Sequence, residues 1–445
     1  MTAKGRQLTL REKIDPATTA LVVIDVQNDF CHPQGYHAKA GADMAMMPPM
    51  AAALEPLVAA ARRAGTLIIW VRATYDEIVQ GEPLAEQLSK GGVSPVRCAE
   101  GSWGADWFDP IRPSEAKNEV VITKHRYSAF WDTEIDLYLR SNGIKTIVAT
   151  GVITSGCVES TARDAFFRNY FVVIAGDSCA SYAKERHDAS LRKFAMTMGV
   201  VTDSATIAEL WRGAAPGLRG WQIEAKKAVA PRTFEELIAP GRTALVIIDM
   251  QNDFCHADGV MGQSGEGLQH NRSIIPAIVG LLDQARRTGA MVVHVQASYG
   301  DMVGGPSWLF TVGETNLRQQ CCLPNSWGGR QVDELPVKTG EPIVVKHRYS
   351  AFTDTRLDNL LRSNGIRTIV CVGTATQACV ESTVREGKLR DYHVVVPSDA
   401  VAARDRMRAM HDASLEVMGL YFATVVPSRR LAEGWSGFGR RAAAE

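Results

Sequence analysis

The chain has 445 residues, which exceeds the length served by one typical hydrophobic core and predicts two or three domains. Lys plus Arg and Asp plus Glu each number 49, which argues against nucleic acid or an anionic membrane as a partner and favours a small molecule. No stretch approaches the roughly 20 apolar residues of a membrane span and the start lacks a signal-peptide core, so we expect a cytoplasmic protein. Nine cysteines without metal-type CxxC pairs argue against a disulfide framework and direct attention to individual thiols.

Two kinds of segment alternate along the first half of the chain. Short β-branched segments that are apolar on both faces predict buried strands, in chain order TALVVID, GTLIIWV, NEVVIT, KTIVATG and YFVVIAG. Amphipathic segments such as LEPLVAAARRAG and EIDLYLRSNG lie between them and predict helices. Strands that alternate with helices predict the α/β class, here a three-layer αβα domain with a mostly parallel, doubly wound sheet.

The second half repeats the first. ALVVIDVQNDFCH returns as ALVIIDMQNDFCH after 224 residues (249 − 25), and both KHRYSAF and CVEST return after 222 (346 − 124 and 379 − 157). A nearly constant offset predicts two tandem copies of one domain, because a solenoid repeat has a far shorter period. Pro and Gly interrupt the pattern at residues 214–220, so we place the first domain at residues 1–218 and the second at residues 219–445.

Three polar side chains of each copy follow predicted strands. Ligands of doubly wound sheets bind beyond the carboxyl ends of the strands, so an acid, an amine and a thiol meet there if their strands are adjacent. Each residue also has a structural interpretation, as a strand-end Asp that caps a turn, a solvated Lys or a small buried Cys. The candidates are Asp25, Lys124 and Cys157 in the first copy and Asp249, Lys346 and Cys379 in the second.

The position of the cysteine suggests how its thiol is activated. Cys157 precedes VESTARDAFFRN, which has helical spacing, so the thiol lies at a predicted helix N-terminus. A helix N-terminus and a neighbouring ammonium both favour the thiolate, and a carboxylate can accept the thiol proton and later pass it to a departing amine.

The motifs IDxQNDF, KHRYSAF and GxxTxxCVESTxR, in this order in both copies, resemble the isochorismatase-like cysteine hydrolase superfamily. KHRYSAF with CVEST is most similar to the ureidoacrylate and biuret amidohydrolase branch, and QNDFCH is similar to N-carbamoylsarcosine amidohydrolase. The resemblance implies that the six candidates form an Asp–Lys–Cys triad in each copy. It also implies attack on an amide or ureido carbonyl, a thioester-type intermediate and release of ammonia. The turn before each cysteine would hold the oxyanion and contain a non-proline cis peptide, at Val152–Ile153 and Thr374–Ala375.

The sequence departs from that branch beside the cysteine. TNxCV is common in the branch, whereas Ser155 stands at the Asn position of the first copy and Gln377 at that of the second, so the substrate contacts of the Asn are not carried over. The copies also differ in one segment, WVRATYDEI in the first and HVQASYGDM in the second. It therefore stays open whether the two sites prefer different substrates. Candidates for substrate contact, about half of which we expect to be core residues, are Phe30, Trp103, Trp107, Tyr127 and Ser155 in the first copy and Phe254, Trp327, Tyr349 and Gln377 in the second.

We expect no metal and no cofactor. Nicotinamidases of the same superfamily bind a metal through an Asp and two His, and they have a DWHP-like stretch after the second strand, which neither copy contains. We expect the histidines to form hydrogen bonds around the site, to be exposed to solvent or to have a structural role. They are His32, His125, His187, His256, His347 and His411. We expect the two arginines after the cysteine, Arg163 and Arg385, to form an ion pair that holds their helix.

The favoured function is a cysteine amidohydrolase that cleaves a small ureido, carbamoyl or carboxamide compound. The alternative from another class is a regulatory or scaffold protein whose copies bind a metabolite without turning it over. A third hypothesis is a thiol redox sensor that uses Cys31 or Cys255. Since the superfamily forms oligomers, we expect a homo-oligomer, with a dimer of tandem chains as the simplest form.

Overall fold

The computed structural model describes residues 8–75, 85–86, 97–213, 230–265, 267–299 and 320–442. The chain divides into two compact units, Met1–Ala230 and Pro231–Glu445, called the first and second unit below. The predicted join at residues 214–220 lies outside the described residues. Each unit contains a parallel sheet with helices, so the predicted fold class is confirmed.

The first unit has a six-stranded, all-parallel sheet in the order β3-β2-β1-β4-β5-β6. Its strands are β1 Thr19–Ile24, β2 Leu67–Ala73, β3 Glu119–Lys124, β4 Thr146–Val152, β5 Phe171–Ala180 and β6 Val200–Thr202. The first five contain the segments predicted as strands, whereas β6 was not among them. β1 lies in the centre, with Ala20 opposite Leu67 of β2 and Thr19 opposite Thr146 of β4.

Helices cover both faces of this sheet. Side chains alternate along β1, so Leu21 and Val23 belong to one hydrophobic cluster while Val22 and Ile24 belong to the other. This two-sided burial explains why the strand sequences are continuously apolar. The helices of the unit are Leu10–Lys13, Asn28–Cys31, Tyr36–Lys39, Met47–Ala64, Ile135–Ser141, Glu159–Phe167, Lys184–Thr197 and Ser204–Arg212, with 3₁₀ turns at Pro16–Thr18 and Trp103–Ala105 and a π turn at Thr154–Val158.

The second unit repeats this plan with the order β13-β11-β10-β7-β8-β9, and β12 pairs with β10. Its strands are β7 Thr243–Ile248, β8 Met291–Ala297, β9 Ile343–Lys346, β10 Thr368–Thr374, β11 His393–Pro397, β12 Val401–Ala402 and β13 Thr424–Val426. Its helices are Phe234–Leu237, Asn252–Cys255, Val260–Gln263, Gln269–Ser273, Ile275–Thr288, Leu357–Ser363, Glu381–Leu389, Arg408–Tyr421 and Ser428–Ala442, with 3₁₀ turns at Pro240–Arg242 and Asp405–Met407 and a π turn at Thr376–Val380. Within the described residues, no helix is long and apolar enough to cross a membrane.

Candidate active site

Three strands of the first unit bring the predicted triad to one edge of the sheet. Asp25 follows β1, Lys124 ends β3, and Cys157 lies in the π turn that follows β4. β1 and β4 are adjacent, but β2 separates β1 from β3, so β3 lies two strand spacings, about 10 Å, from β1. The long Lys124 side chain spans that gap, and the strands need not all be adjacent as the sequence argument assumed.

The ammonium of Lys124 organises the site. Its Nζ lies 2.8 Å from Oδ2 of Asp25, 3.4 Å from Sγ of Cys157 and 3.0 Å from the carbonyl oxygen of Arg126. A lysine ammonium has three N–H donors, so it can contact all three groups at once. Lys124 and Asp25 are fully buried and Cys157 is 4% exposed, so the three groups face one another with little water between them.

The second unit has the same geometry. Nζ of Lys346 lies 2.8 Å from Oδ2 of Asp249, 3.3 Å from Sγ of Cys379 and 3.1 Å from the carbonyl oxygen of Arg348. The two triads agree to within 0.1 Å in each distance, so both copies keep the same arrangement.

The turn that carries the cysteine has an unusual backbone in both units. The peptide bonds Val152–Ile153 and Thr374–Ala375 are cis, at the two positions that the resemblance implies. In the first unit the N–H groups of Gly156 and Val158 both donate to the carbonyl oxygen of Ile153. These bonds fold the chain into the π turn that presents the thiol at the start of the helix Glu159–Phe167.

A glycine makes room for this turn. Gly151, near the end of β4, has φ +104°, and a Cβ there would lie 2.1 Å from the carbonyl oxygen of Ile24. Gly373 repeats both features in the second unit, with φ +115° and a Cβ position 2.0 Å from the carbonyl oxygen of Ile248. The close approach of the two central strands therefore requires glycine.

The histidines of the two HDAS segments also hold this turn. Nδ1 of His187 lies 2.8 Å from Oγ1 of Thr154, and Nδ1 of His411 lies 2.8 Å from Oγ1 of Thr376. Burial lowers the pKa of His187, and it lowers the pKa of His411 to about 4, so both imidazoles are neutral at pH 7. Their role is the structural one that the sequence indicated.

Burial decides the protonation states of the triad. It raises the pKa of Asp25, against the opposing effect of Lys124, and it raises the pKa of the Cys157 thiol to about 12. Burial alone would lower the pKa of Lys124, but the charges of Asp25 and Cys157 outweigh it and the net shift is upward. The second unit shows the same directions. The ammonium of Lys124 favours the thiolate as expected, but burial has the larger effect, so the net shift of the Cys157 pKa is upward.

A cleft with a volume of about 60 Å³ opens onto the triad of the second unit. Three predicted contact residues line it beside Asp249 and Cys379, namely Phe254, Tyr349 and Gln377. Five further lining residues were missed by the sequence analysis, Met261, Asn271, Tyr299, Ala378 and Arg404. Of these residues only Tyr299 could have been identified from the sequence, because the tyrosine of ATY, at the end of β2, is repeated in ASY at the end of β8.

The predicted tryptophans differ in exposure. Trp103 and Trp327 are 48% and 45% exposed, and each ring meets the edge of a histidine, His32 or His256. Trp327 is not among the residues that line the cleft of the second unit. Trp107 packs against Trp70 in the core. Contact of these three rings with substrate stays a prediction.

The remaining predicted contacts of the first unit differ in exposure. Phe30 is buried and stacks on His37 with ring centroids 5.2 Å apart. Tyr127 is 39% exposed, and Ser155 is exposed on the π turn. Phe30 therefore lies deep in the unit, whereas Tyr127 and Ser155 lie at its surface.

Other polar residues around the two sites have structural partners. Nδ1 of His125 lies 3.0 Å from the carbonyl oxygen of Thr74, and Nδ1 of His347 lies 2.6 Å from that of Ser298. The two arginines after the cysteine form ion pairs one helical turn apart, as expected, in the pairs Arg163–Glu159 and Arg385–Glu381.

One group in the described part of the chain has donors close enough to hold a metal ion, Asp253 with Cys321 and Cys322. The Asp253 carboxylate already accepts the N–H groups of Cys322, at 2.6 Å, and of Val260, at 3.0 Å. These hydrogen bonds account for the buried carboxylate without an ion. The expectation of a metal-free protein stays a prediction.

Each of the two α/β units buries a carboxylate, an ammonium and a thiol together at the carboxyl edge of its parallel sheet. The thiol is the candidate nucleophile of each unit. The isochorismatase domain family matches residues 19–206 and 243–430, and the chain belongs to this family. The expected isochorismatase-like hydrolase class is thereby confirmed.

Known relatives match one copy at a time. Over 205 residues the chain is 36% identical to the ureidoacrylate amidohydrolase RutB of Methylobacterium radiotolerans, a match that spans 43% of this chain and 79% of that protein. A solved cysteine hydrolase from Pseudomonas syringae pv. phaseolicola 1448A is 25% identical, with TM-score 0.41 and coverage of 45% of this chain and 96% of that chain. The N-carbamoylsarcosine amidase of Thermoplasma acidophilum is 30% identical, with TM-score 0.34 and coverage of 42% and 96%.

Proposed function

We propose that the chain is a cysteine-dependent amidohydrolase with one active site in each unit, acting on a small ureido, carbamoyl or carboxamide compound. The observation that carries the proposal is the buried ammonium that contacts both a carboxylate and a thiol in each unit. A scaffold protein has no need to bury three ionisable groups in contact, because each costs free energy to remove from water. The similarity to a ureidoacrylate amidohydrolase supports an amide or ureido bond as the target.

In the proposed reaction Asp25 is the base and later the acid. Its carboxylate takes the Cys157 proton, the thiolate forms a bond to the amide carbon, and the carbonyl oxygen becomes an oxyanion. The C–N bond then breaks while protonated Asp25 gives its proton to the nitrogen, so ammonia leaves and a thioester remains. Asp25 next takes a proton from water, the hydroxide displaces the sulfur, and the proton returns to Cys157.

The pKa directions suit these steps. The raised pKa of Asp25 makes its protonated form more accessible than that of an ordinary carboxyl, so it can hold the proton between steps. Lys124 has a raised pKa and stays cationic, so it stabilises the transient thiolate. Gly156 and Val158 already donate to Ile153, so the N–H groups of Ile153 and Cys157 are the donors we propose for the oxyanion.

The test is ammonia release by the full chain and by its Cys157→Ser, Cys379→Ser and doubly substituted variants. The panel is biuret, ureidoacrylate, N-carbamoylglycine, maleamate and nicotinamide. Each single variant should abolish one activity and the double variant all of them, while Cys31→Ser, which changes a buried thiol outside the triads, should keep both. Full activity in the double variant would refute the mechanism. Tight binding without any ammonia release would support the scaffold alternative.

The redox alternative has little support from the structure. All nine cysteines are free and buried. Burial raises the pKa of Cys31, and it raises the pKa of Cys255 to about 12, so both thiols are neutral and unreactive at pH 7.

We also propose a cytoplasmic homodimer of tandem chains. Light scattering would then give about 97 kDa, twice the chain mass of 48.5 kDa.

A further inference from the structure

The two sites share a triad but have their arginines at different positions. With the offset of 224 residues that relates Cys98 to Cys322, Arg97 of the first unit corresponds to Cys321 of the second (321 − 97). With the offset of 222 that holds near the cysteine helix, Arg404 corresponds to Tyr182 (404 − 182). Asp29 supports the first alignment, because its carboxylate accepts the N–H of Cys98 at 2.7 Å just as Asp253 accepts that of Cys322 at 2.6 Å.

Arg97 lies in the part of the first unit that corresponds to one wall of the cleft in the second unit. Its guanidinium lies over the rings of Tyr75, at 5.0 Å, and Phe30, at 5.9 Å. The counterparts of these rings, Tyr299 (299 − 75 = 224) and Phe254 (254 − 30 = 224), both line the cleft beside Cys379. The charge of Arg97 also acts on the triad, since it helps to lower the pKa of Asp25 against the effect of burial.

Three buried polar atoms on this wall have no hydrogen-bond partner among the described residues. They are Nε of Arg97, the hydroxyl oxygen of Tyr75 and Nε2 of His37. Arg97 is only 9% exposed and Tyr75 only 1%. The ion pairs found in the described residues of this unit do not include Arg97. Buried donors without an acceptor are rare in folded proteins, and a buried guanidinium is the costliest kind.

His37 completes the wall and distinguishes the two units. Its ring stacks between Phe30, at 5.2 Å, and Tyr182, at 4.8 Å. Its counterpart in the second unit is Met261 (261 − 37 = 224), which lines the cleft there and has no comparable donor. The first unit therefore presents Arg97, Tyr75 and His37 where the second presents Cys321, Tyr299 and Met261.

We propose that Arg97, Tyr75 and His37 bind a carboxylate of the substrate, so that the first unit takes an amide that carries a negative charge. This inference rests on the amidohydrolase function proposed above. A carboxylate has two oxygens that accept several hydrogen bonds, and it compensates the guanidinium charge, which a neutral carbonyl cannot do. In the second unit Arg404 lies at the position of Tyr182, so a charged substrate would be held by a residue from a different segment of the chain. The two sites then select amides of different shape.

The test measures binding at the first site alone and without turnover. Succinate serves as the carboxylate probe, and the readout is protection of Cys157 from iodoacetamide, followed by mass spectrometry of its peptide in the full chain. Arg97→Gln should raise the half-protecting succinate concentration about 10- to 100-fold, as expected for a lost charge-assisted hydrogen bond. His37→Met, which introduces the residue of the second copy, should raise it severalfold. Arg63→Gln removes an exposed arginine of the same unit as a control and should leave it within about twofold.

Equal protection of the parent and of Arg97→Gln would overturn the proposal, and so would absence of protection by succinate in the parent. Arg97→Lys keeps the charge but not the fork of donors, so it should fall between the parent and Arg97→Gln. If Arg97→Gln fails to fold, Arg97→Lys and His37→Met decide the question by the same readout. Because protection needs no turnover, it can succeed while ammonia release fails, which separates this inference from the proposed function. If ammonia is released, KM for carboxylated amides should rise in Arg97→Gln while KM for their neutral methyl esters stays constant.

Discussion

Removal of the ammonium from one triad tests the account of its electrostatics. Lys124→Met leaves the Asp25 carboxylate buried without the partner that lies 2.8 Å away. At an effective dielectric constant of about 20, two unit charges at that distance attract each other by about 6 kcal/mol, part of which offsets their desolvation. Loss of one partner of a buried pair costs about 3 to 5 kcal/mol of folding free energy. We therefore expect Lys124→Met to destabilise the first unit by about 4 kcal/mol at pH 7.

The loss should depend on pH in a defined direction. Without Lys124 the largest influence that lowers the pKa of Asp25 is gone, so its folded-state pKa rises further above the unfolded value. A group with a raised folded-state pKa contributes stability below its unfolded pKa, and this stability is lost as pH rises through the folded-state pKa. The variant should therefore regain stability as the pH is lowered from 7 towards about 4.

Urea unfolding across this pH range provides the assay, with the unchanged triad of the second unit as an internal reference. Asp25→Asn combined with Lys124→Met removes both charges and should recover most of the loss at pH 7. A loss below about 1 kcal/mol in the single variant, or a double variant as unstable as the single one, would refute the reasoning.

Two further predictions test the thiol and the cysteine turn. Alkylation of Cys157 by iodoacetamide should still accelerate between pH 9 and pH 10, because burial raises the pKa of its thiol to about 12; a plateau below pH 9 would contradict this value. Gly151→Ala should cost more than about 3 kcal/mol in thermal or urea unfolding, because its Cβ would lie 2.1 Å from a carbonyl oxygen at φ +104°. Gly156→Ala in the same turn is the control, since its nearest neighbour would be 3.8 Å away, and equal losses would show that the close approach is not the cause.

Local patterns in the sequence were enough to identify the strands and the duplication. Each β-branched segment from TALVVID to YFVVIAG overlaps one of the strands β1 to β5, because burial on both faces of a parallel sheet makes a strand apolar throughout. The triad could be predicted because each of its residues follows a strand, and parallel strands end at the same edge of the sheet. Asp25, Lys124 and Cys157 lie within contact distance as a result.

Loop residues are harder to assign from such patterns. Trp103 is predicted to contact substrate because it is aromatic; its ring is half exposed and meets His32, and contact with substrate stays a prediction. The path of a loop over the surface depends on contacts between distant segments, such as the hydrogen bond from the Asn28 side chain to the Trp103 carbonyl oxygen. Loop residues therefore cannot be assigned to a pocket by residue type.

The sequence by itself determined the tandem α/β architecture and the residues that meet at each sheet edge, since both follow from periodicity and from motifs a few residues long. Only the tertiary structure decided that burial raises the pKa of the Cys157 thiol and that β2 separates β1 from β3. It also showed that Arg97 lies over the rings of Tyr75 and Phe30 in the first unit, whereas Arg404 lines the cleft of the second. The physical reason is that a pKa or a pocket wall depends on all the atoms around a group, and most of those atoms belong to residues far away in the chain.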